Sequence, residues 1–125
     1  MENSRAKSPD GENRGEGAVS EAACLLVFTT VPVDLNVAAF AEALVSDRLA
    51  ACVSVLGEAD STYAWNGRVE RSRERQVLIK TTPARWPALV EAVCRLHPYE
   101  VPELIGVPVT EGLATYLRWV SDATI

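Results

Sequence analysis

The sequence predicts an α+β domain in which four strands and two helices follow the order β-α-β-β-α-β, with a further helix after the last strand. Three observations lead there: a segment apolar on successive residues from position 24, an Asn-Gly hairpin signal at positions 66 and 67, and a stretch of helical apolar spacing on each side of that hairpin.

Cys24-Leu25-Leu26-Val27-Phe28-Thr29-Thr30 does not alternate, which is how a strand buried on both faces reads. Pro32 closes it. Asp34 is placed to cap a helix running to about Leu49, with Val37, Phe40, Ala41, Leu44 and Val45 on its apolar face. A second strand runs from Cys52 to Trp65 and a third from Arg68 to Thr81, joined by Asn66-Gly67, both able to take the positive φ of a tight hairpin turn. A two-residue loop sets Trp65 opposite Arg68 and Tyr63 opposite Glu70, so Tyr63 and Trp65 share one face of the ribbon.

Thr82-Pro83 resembles the start of a second helix, whose first residue lies between Pro83 and Trp86. Trp86, Leu89, Val90, Val93 and Leu96 then repeat at helical spacing. His97-Pro98-Tyr99-Glu100-Val101-Pro102 cannot be helical, because residues before proline are pushed extended. The fourth strand, Glu103 to Val109, contains Pro108 and belongs at a sheet edge, where a missing ladder donor is tolerated. Leu113, Tyr116, Leu117 and Val120 mark the terminal helix. This order is that of a ferredoxin-like βαββαβ sandwich, with the first and third strands central and the fourth peripheral.

The 125 residues leave room for one such domain. Residues 1–22 have Met1 and Val19 as their only large apolar side chains and are expected to be a disordered tail, with the domain over residues 23–125. The net charge of −5 leaves the domain mildly acidic, which argues against a nucleic-acid binder. Arg68, Arg71, Arg73 and Arg75 cluster on the third strand, but Glu70 and Glu74 interleave, and a solvated, salt-linked arm accounts for them. Three cysteines at irregular spacing and without a CxxC pair signal neither a zinc knuckle nor a redox dithiol. With no secretory or membrane-spanning pattern, the expected address is the cytoplasm, with no membrane partner.

Two features ask for more than one copy of the chain. In this fold the helices cover one face of the sheet, yet Leu25 through Phe28 and Val77 through Ile79 put apolar side chains on both. The hairpin strands, about 14 residues each, extend roughly 45 Å, well past a first helix of about 24 Å. A second copy can shelter both the open face and the ribbon.

The motifs themselves resemble the CutA divalent-cation tolerance family: Leu49-Ala50-Ala51-Cys52-Val53, the YxWxG hairpin tip of Tyr63, Trp65 and Gly67, Lys80-Thr81-Thr82, the run His97-Pro98-Tyr99-Glu100-Val101-Pro102-Glu103, and Tyr116-Leu117-Arg118-Trp119. The resemblance covers Leu25 to about Val120. It implies a ferredoxin-like homotrimer related in architecture to the PII signalling proteins, and a role in tolerance of divalent cations, copper in particular. Thr29 stands where some bacterial relatives have a cysteine treated as a copper ligand.

His97, the single histidine, is the candidate ligand for Cu(II) or another divalent cation, with Glu100 and Glu103 as oxygen donors. The competing reading has His97 capping the end of the second helix. Tyr63, Trp65, Lys80, His97 and Glu103 are expected to line a cleft between subunits that takes a metal or small molecule; a Lys80–Glu103 ion pair is the structural alternative. Cys52 reads as a small core residue. No serine–histidine–acid set, phosphate-cradling glycine loop or HExxH is present, and no enzyme is predicted. The expected function is therefore a metal-responsive trimer, the alternatives being a PII-like small-molecule sensor or an adaptor.

Overall fold

The structure, a computed structural model, describes residues 23–125; the expected tail over residues 1–22 lies outside the described residues. Its elements are β1 (Cys24–Pro32), α1 (Val37–Ser46), β2 (Cys52–Trp65), β3 (Arg68–Thr81), α2 (Trp86–Leu96), β4 (Ile105–Val109) and α3 (Ala114–Ala123). They form one antiparallel sheet of order β2-β3-β1-β4, with β1 and β3 central and β4, the strand with Pro108, at an edge.

Parity along the strands decides what is buried. Val27 and Val31 of β1, with Val77 and Ile79 of β3, point to the helices and pack with Phe40 and Leu44 of α1 and Leu89 and Val93 of α2. Each of these is at most 4% exposed, so this is where burial contributes most, about 1.5–3 kcal/mol for a large aliphatic side chain. The β1–β3 register of Val27 with Ile79 and Thr29 with Val77 fixes this layer. Gly106 of β4 lies opposite Val27 on the same face, and a Cβ there would come within 3.1 Å of the Trp86 ring. Glycine leaves room for the six-membered ring of the indole to approach the edge strand this closely.

The opposite face is covered only at one end, where α3 lays Leu117 and Val120 beside Cys24 and Ala51. Further along, Phe28 is 38% exposed and is paired with Ile105 at 54%, while Leu26 is paired with Val107 at 43%. The expected second apolar face is present, and within one chain it is half open.

The hairpin turns on Asn66 and Gly67, with φ of 53° and 75°, and the register sets Trp65 opposite Arg68 and Tyr63 opposite Glu70, as expected. A bulge interrupts the ribbon between Val55 and Glu58, where Leu56 and Gly57 face the single Gln76. Beyond it, Arg73 bridges Glu58 at 3.0 Å and Asp60 at 2.8 Å across the strands. The arm is salt-linked within the chain, and exposed pairs of this kind contribute little each.

Three boundaries differ from the sequence reading. Asn36, not Asp34, caps α1: its side chain accepts from the Ala39 amide at 3.1 Å, while Asp34 is taken up in the turn closed by Leu35 N–H to Pro32 C=O. The helix ends at Ser46 rather than Leu49, because Arg48 adopts φ 60° and both Leu49 and Ala50 donate back to the Leu44 carbonyl. Strand β4 begins at Ile105 rather than Glu103, since the Glu103 carbonyl is engaged by the Thr29 hydroxyl instead of a ladder amide. The second helix opens with a 3-10 turn over Pro83–Arg85 before α2 proper.

Candidate functional site

Loop 97–104 between α2 and β4 runs beside the outer half of the hairpin, and a groove of about 710 Å³ opens between them. Tyr63 and Trp65 of β2 and Glu70 and Glu74 of β3 form one wall, since alternate residues of the ribbon share a face. Tyr99, Glu100 and Glu103 of the loop form the other. Two prolines, Pro98 and Pro102, restrict the backbone of the loop, which bends over residues 98–101 where it lines the groove.

The loop is tied down from below. Thr29, 1% exposed on β1, donates its hydroxyl to the Glu103 carbonyl at 2.6 Å. His97 is the C-cap residue of α2, its amide bonded to the Val93 carbonyl, but its ring turns away from the helix toward β1. Nδ1 accepts the Tyr99 amide at 3.1 Å, which places the proton on Nε2, and Nε2 donates to the Thr30 carbonyl at 2.7 Å. Both ring nitrogens are thus engaged, and the ring, 6% exposed, packs against Tyr99 with centroids 4.8 Å apart.

Tyr99 in turn donates its hydroxyl to Glu74 Oε2 at 2.9 Å. Burial of the phenol, reinforced by that carboxylate, pushes its pKa up to about 12. Glu74 is only 5% exposed, and Tyr99 is the one hydrogen-bond partner of its carboxylate among the described residues. Across the ribbon, the Tyr63 hydroxyl and Ser72 Oγ lie 2.6 Å apart. No lysine or arginine lines the groove, and of its glutamates only Glu70 has an ion-pair partner among the described residues, Arg68 at 3.2 Å.

Of the five residues expected to share a cleft, the chain brings Tyr63, Trp65 and Glu103 together. His97 sits directly behind the groove rather than in its lining, holding Tyr99 in place. Lys80 is elsewhere. It faces the open side of the sheet between Leu26 and Cys52, with Nζ 5.5 Å from the centre of the Tyr116 ring, and contact with Tyr116 raises its pKa. A Lys80–Glu103 pair does not form within the chain, because Thr29, which holds Glu103, belongs to the opposite strand face.

The thiols are also dispersed: Cys24 is buried, Cys52 half-buried and Cys94 exposed, all three unpaired. Burial pushes the Cys24 thiol up, away from the thiolate that a soft metal requires. Among the described residues no three histidine, cysteine or acidic side chains converge as a ready metal cage.

Glu70, Glu74 and Tyr99 are members of this site that the sequence reading did not single out. The first two were accessible: once Tyr63 is set opposite Glu70, strand alternation carries Ser72 and Glu74 to the same face. Tyr99 had no such signal, since the path of a proline-bounded loop is not encoded in a period.

Comparisons with known proteins agree with this architecture. The family profile described as CutA1 divalent ion tolerance protein matches residues 25–123. The divalent-cation tolerance protein CutA of Thermus thermophilus is 42% identical over 99 residues, covering 79% of this chain and 96% of that protein. The mouse Protein CutA is also 42% identical, over 86% of this chain, which spans 58% of the mouse protein's length. Among solved structures, CutA from Xylella fastidiosa superposes with a TM-score of 0.78 at 43% identity, covering 83% of this chain and all of that one. Together with the sheet order and the loop motif, these matches show that the chain belongs to the CutA1 divalent ion tolerance family.

Proposed function

We propose that this chain serves divalent-cation tolerance as a PII-like homotrimer in the cytoplasm, engaging Cu(II) or a similar cation weakly, and that it acts by binding rather than by catalysis. The observation that carries the reading is the open sheet face. Phe28, Ile105 and Val107, all 38% exposed or more, form a continuous apolar patch on two adjacent strands. Such a patch costs free energy in water until a copy of the chain covers it. Three unpaired cysteines fit a reducing compartment, and no helix among the described residues is long and apolar enough to cross a membrane.

For the cation, the groove favours oxygen donors. The Glu103 carboxylate lines it without an ion-pair partner among the described residues, whereas His97 must give up a hydrogen bond before either nitrogen can bind a metal. In this reading His97 holds the loop and Glu103 meets the cation, completed by groups from a neighbouring subunit. The same engagement of the single histidine removes the obvious acid–base catalyst. Calorimetric titration of Cu(II) and Zn(II) into wild type, His97→Gln and Glu103→Gln tests the assignment. Heats retained in His97→Gln and lost in Glu103→Gln are expected; the reverse pattern would restore His97 as the ligand.

The groove's size and aromatic walls also favour the small-molecule reading, with one restriction. Its carboxylates and lack of lining cations disfavour an anionic ligand.

A further inference from the structure

The groove beside the hairpin has more acidic and aromatic character than a point cation uses. Glu74 is the telling residue. It is 5% exposed, its Oε2 takes the Tyr99 hydroxyl, and its Oε1 accepts no hydrogen bond from any described residue, although the side chain lines the cavity. The free oxygen is not sealed in the fold but opens on the groove, so a cationic group entering there meets it directly.

The other acidic groups are spread out rather than gathered. Glu70 and Glu74 lie four residues apart on one strand face, about 13 Å at the usual rise, and Glu100 and Glu103 stand on the facing loop. That spacing explains why no three of them converge on one ion among the described residues. Between them stand Tyr63 and Trp65, about a third exposed, and Tyr99. Aromatic faces attract ammonium groups, and they also pack against methylene chains, which a hydrated metal ion lacks. Distributed carboxylates alternating with aromatic surface, in a cavity of about 710 Å³, match a flexible chain bearing several ammonium groups.

We propose that this groove binds an aliphatic polyamine, with one ammonium group against the Glu74 carboxylate, its methylene stem on Trp65 and Tyr63, and a second ammonium group toward Glu70 or the loop glutamates. Binding is electrostatic and cation–π in character, so it weakens with added salt. It involves no bond making or breaking. It shares the groove with the metal reading, but its anchors, Glu74 and Trp65, are not the group that reading gives to the cation.

The test is a titration of the full-length protein with spermidine, followed by calorimetry and by Trp65 fluorescence against a Trp65→Phe blank, with Mg²⁺ as a cation lacking a stem. Saturable spermidine binding that Mg²⁺ does not displace at equal charge concentration is expected. Glu74→Gln keeps an acceptor for Tyr99 and should weaken binding about tenfold, as a charge-assisted contact becomes a neutral one. Trp65→Ala, at the hairpin tip and away from the core, should weaken it about fivefold. Absence of saturable binding, displacement by Mg²⁺ at matched charge, or wild-type affinity in the Glu74→Gln/Trp65→Ala double variant would overturn the proposal. Cu(II) heats measured on that double variant separate the two readings, since they persist if only the polyamine site is wrong.

Discussion

Replacing His97 with leucine removes two hydrogen bonds at once and strands both partners. The Thr30 carbonyl loses the Nε2 proton at 2.7 Å, in the core of the sheet, and the Tyr99 amide loses Nδ1 at 3.1 Å in the loop. Leaving a buried polar group without a partner costs about 1–3 kcal/mol. The Tyr99 amide is only part-buried and recovers some of its loss from water. The sum is about 2–4 kcal/mol, and for a domain of this size it lowers Tm by roughly 10–25 °C. The assay is thermal unfolding followed by circular dichroism in chelator, at fixed protein concentration because subunit association would add to stability. His97→Gln separates the two bonds: its amide nitrogen reaches where Nε2 sits and can still donate to Thr30, so about half of the loss is recovered. A metal-free His97→Leu protein melting within about 3 °C of wild type would refute the reasoning, because the imidazole would then not be holding the loop.

Three further outcomes follow from local geometry. Asn36→Ala should cost about 1 kcal/mol in denaturant unfolding, through loss of the cap on the Ala39 amide, whereas Asp34→Ala should stay within about 0.5 kcal/mol. Thr81→Val should cost about 1–3 kcal/mol, since the fully buried Thr81 hydroxyl is bonded to the Leu49 carbonyl at 2.7 Å. Tyr99 should ionise near pH 12 in the folded protein against an ordinary value of 10.0, observable as tyrosinate absorbance that Tyr99→Phe removes. Its folded-state pKa is raised, so its stabilising contribution is intact below pH 10 and is lost as the pH climbs toward 12.

The strand order, the hairpin and its register were legible because each rests on a short-range rule. Asn66-Gly67 fixes the turn, the turn fixes which residues face one another, and Pro108 keeps its strand at the edge. Helix ends were less legible because several groups compete for one role. Asp34 and Asn36 both suit a cap, and the turn from Pro32 to Leu35 decides between them. The site was half legible. Tyr63, Trp65 and Glu103 come from motifs whose positions follow from the hairpin and loop, while Lys80 was grouped with them although strand parity and α3 place it with Tyr116. His97 shows the limit most clearly: its two partners are carbonyl and amide groups of the backbone, one of them 67 residues away, and backbone partners leave no trace in side-chain spacing.

In the proposed trimer the apolar sheet face of Phe28, Ile105 and Val107 is closed by neighbouring copies. Multi-angle light scattering at micromolar concentration measures this directly. A particle of about three times the 13.5 kDa chain mass is predicted. A stable, folded particle at 13.5 kDa itself would contradict it, because that face would then be content in water.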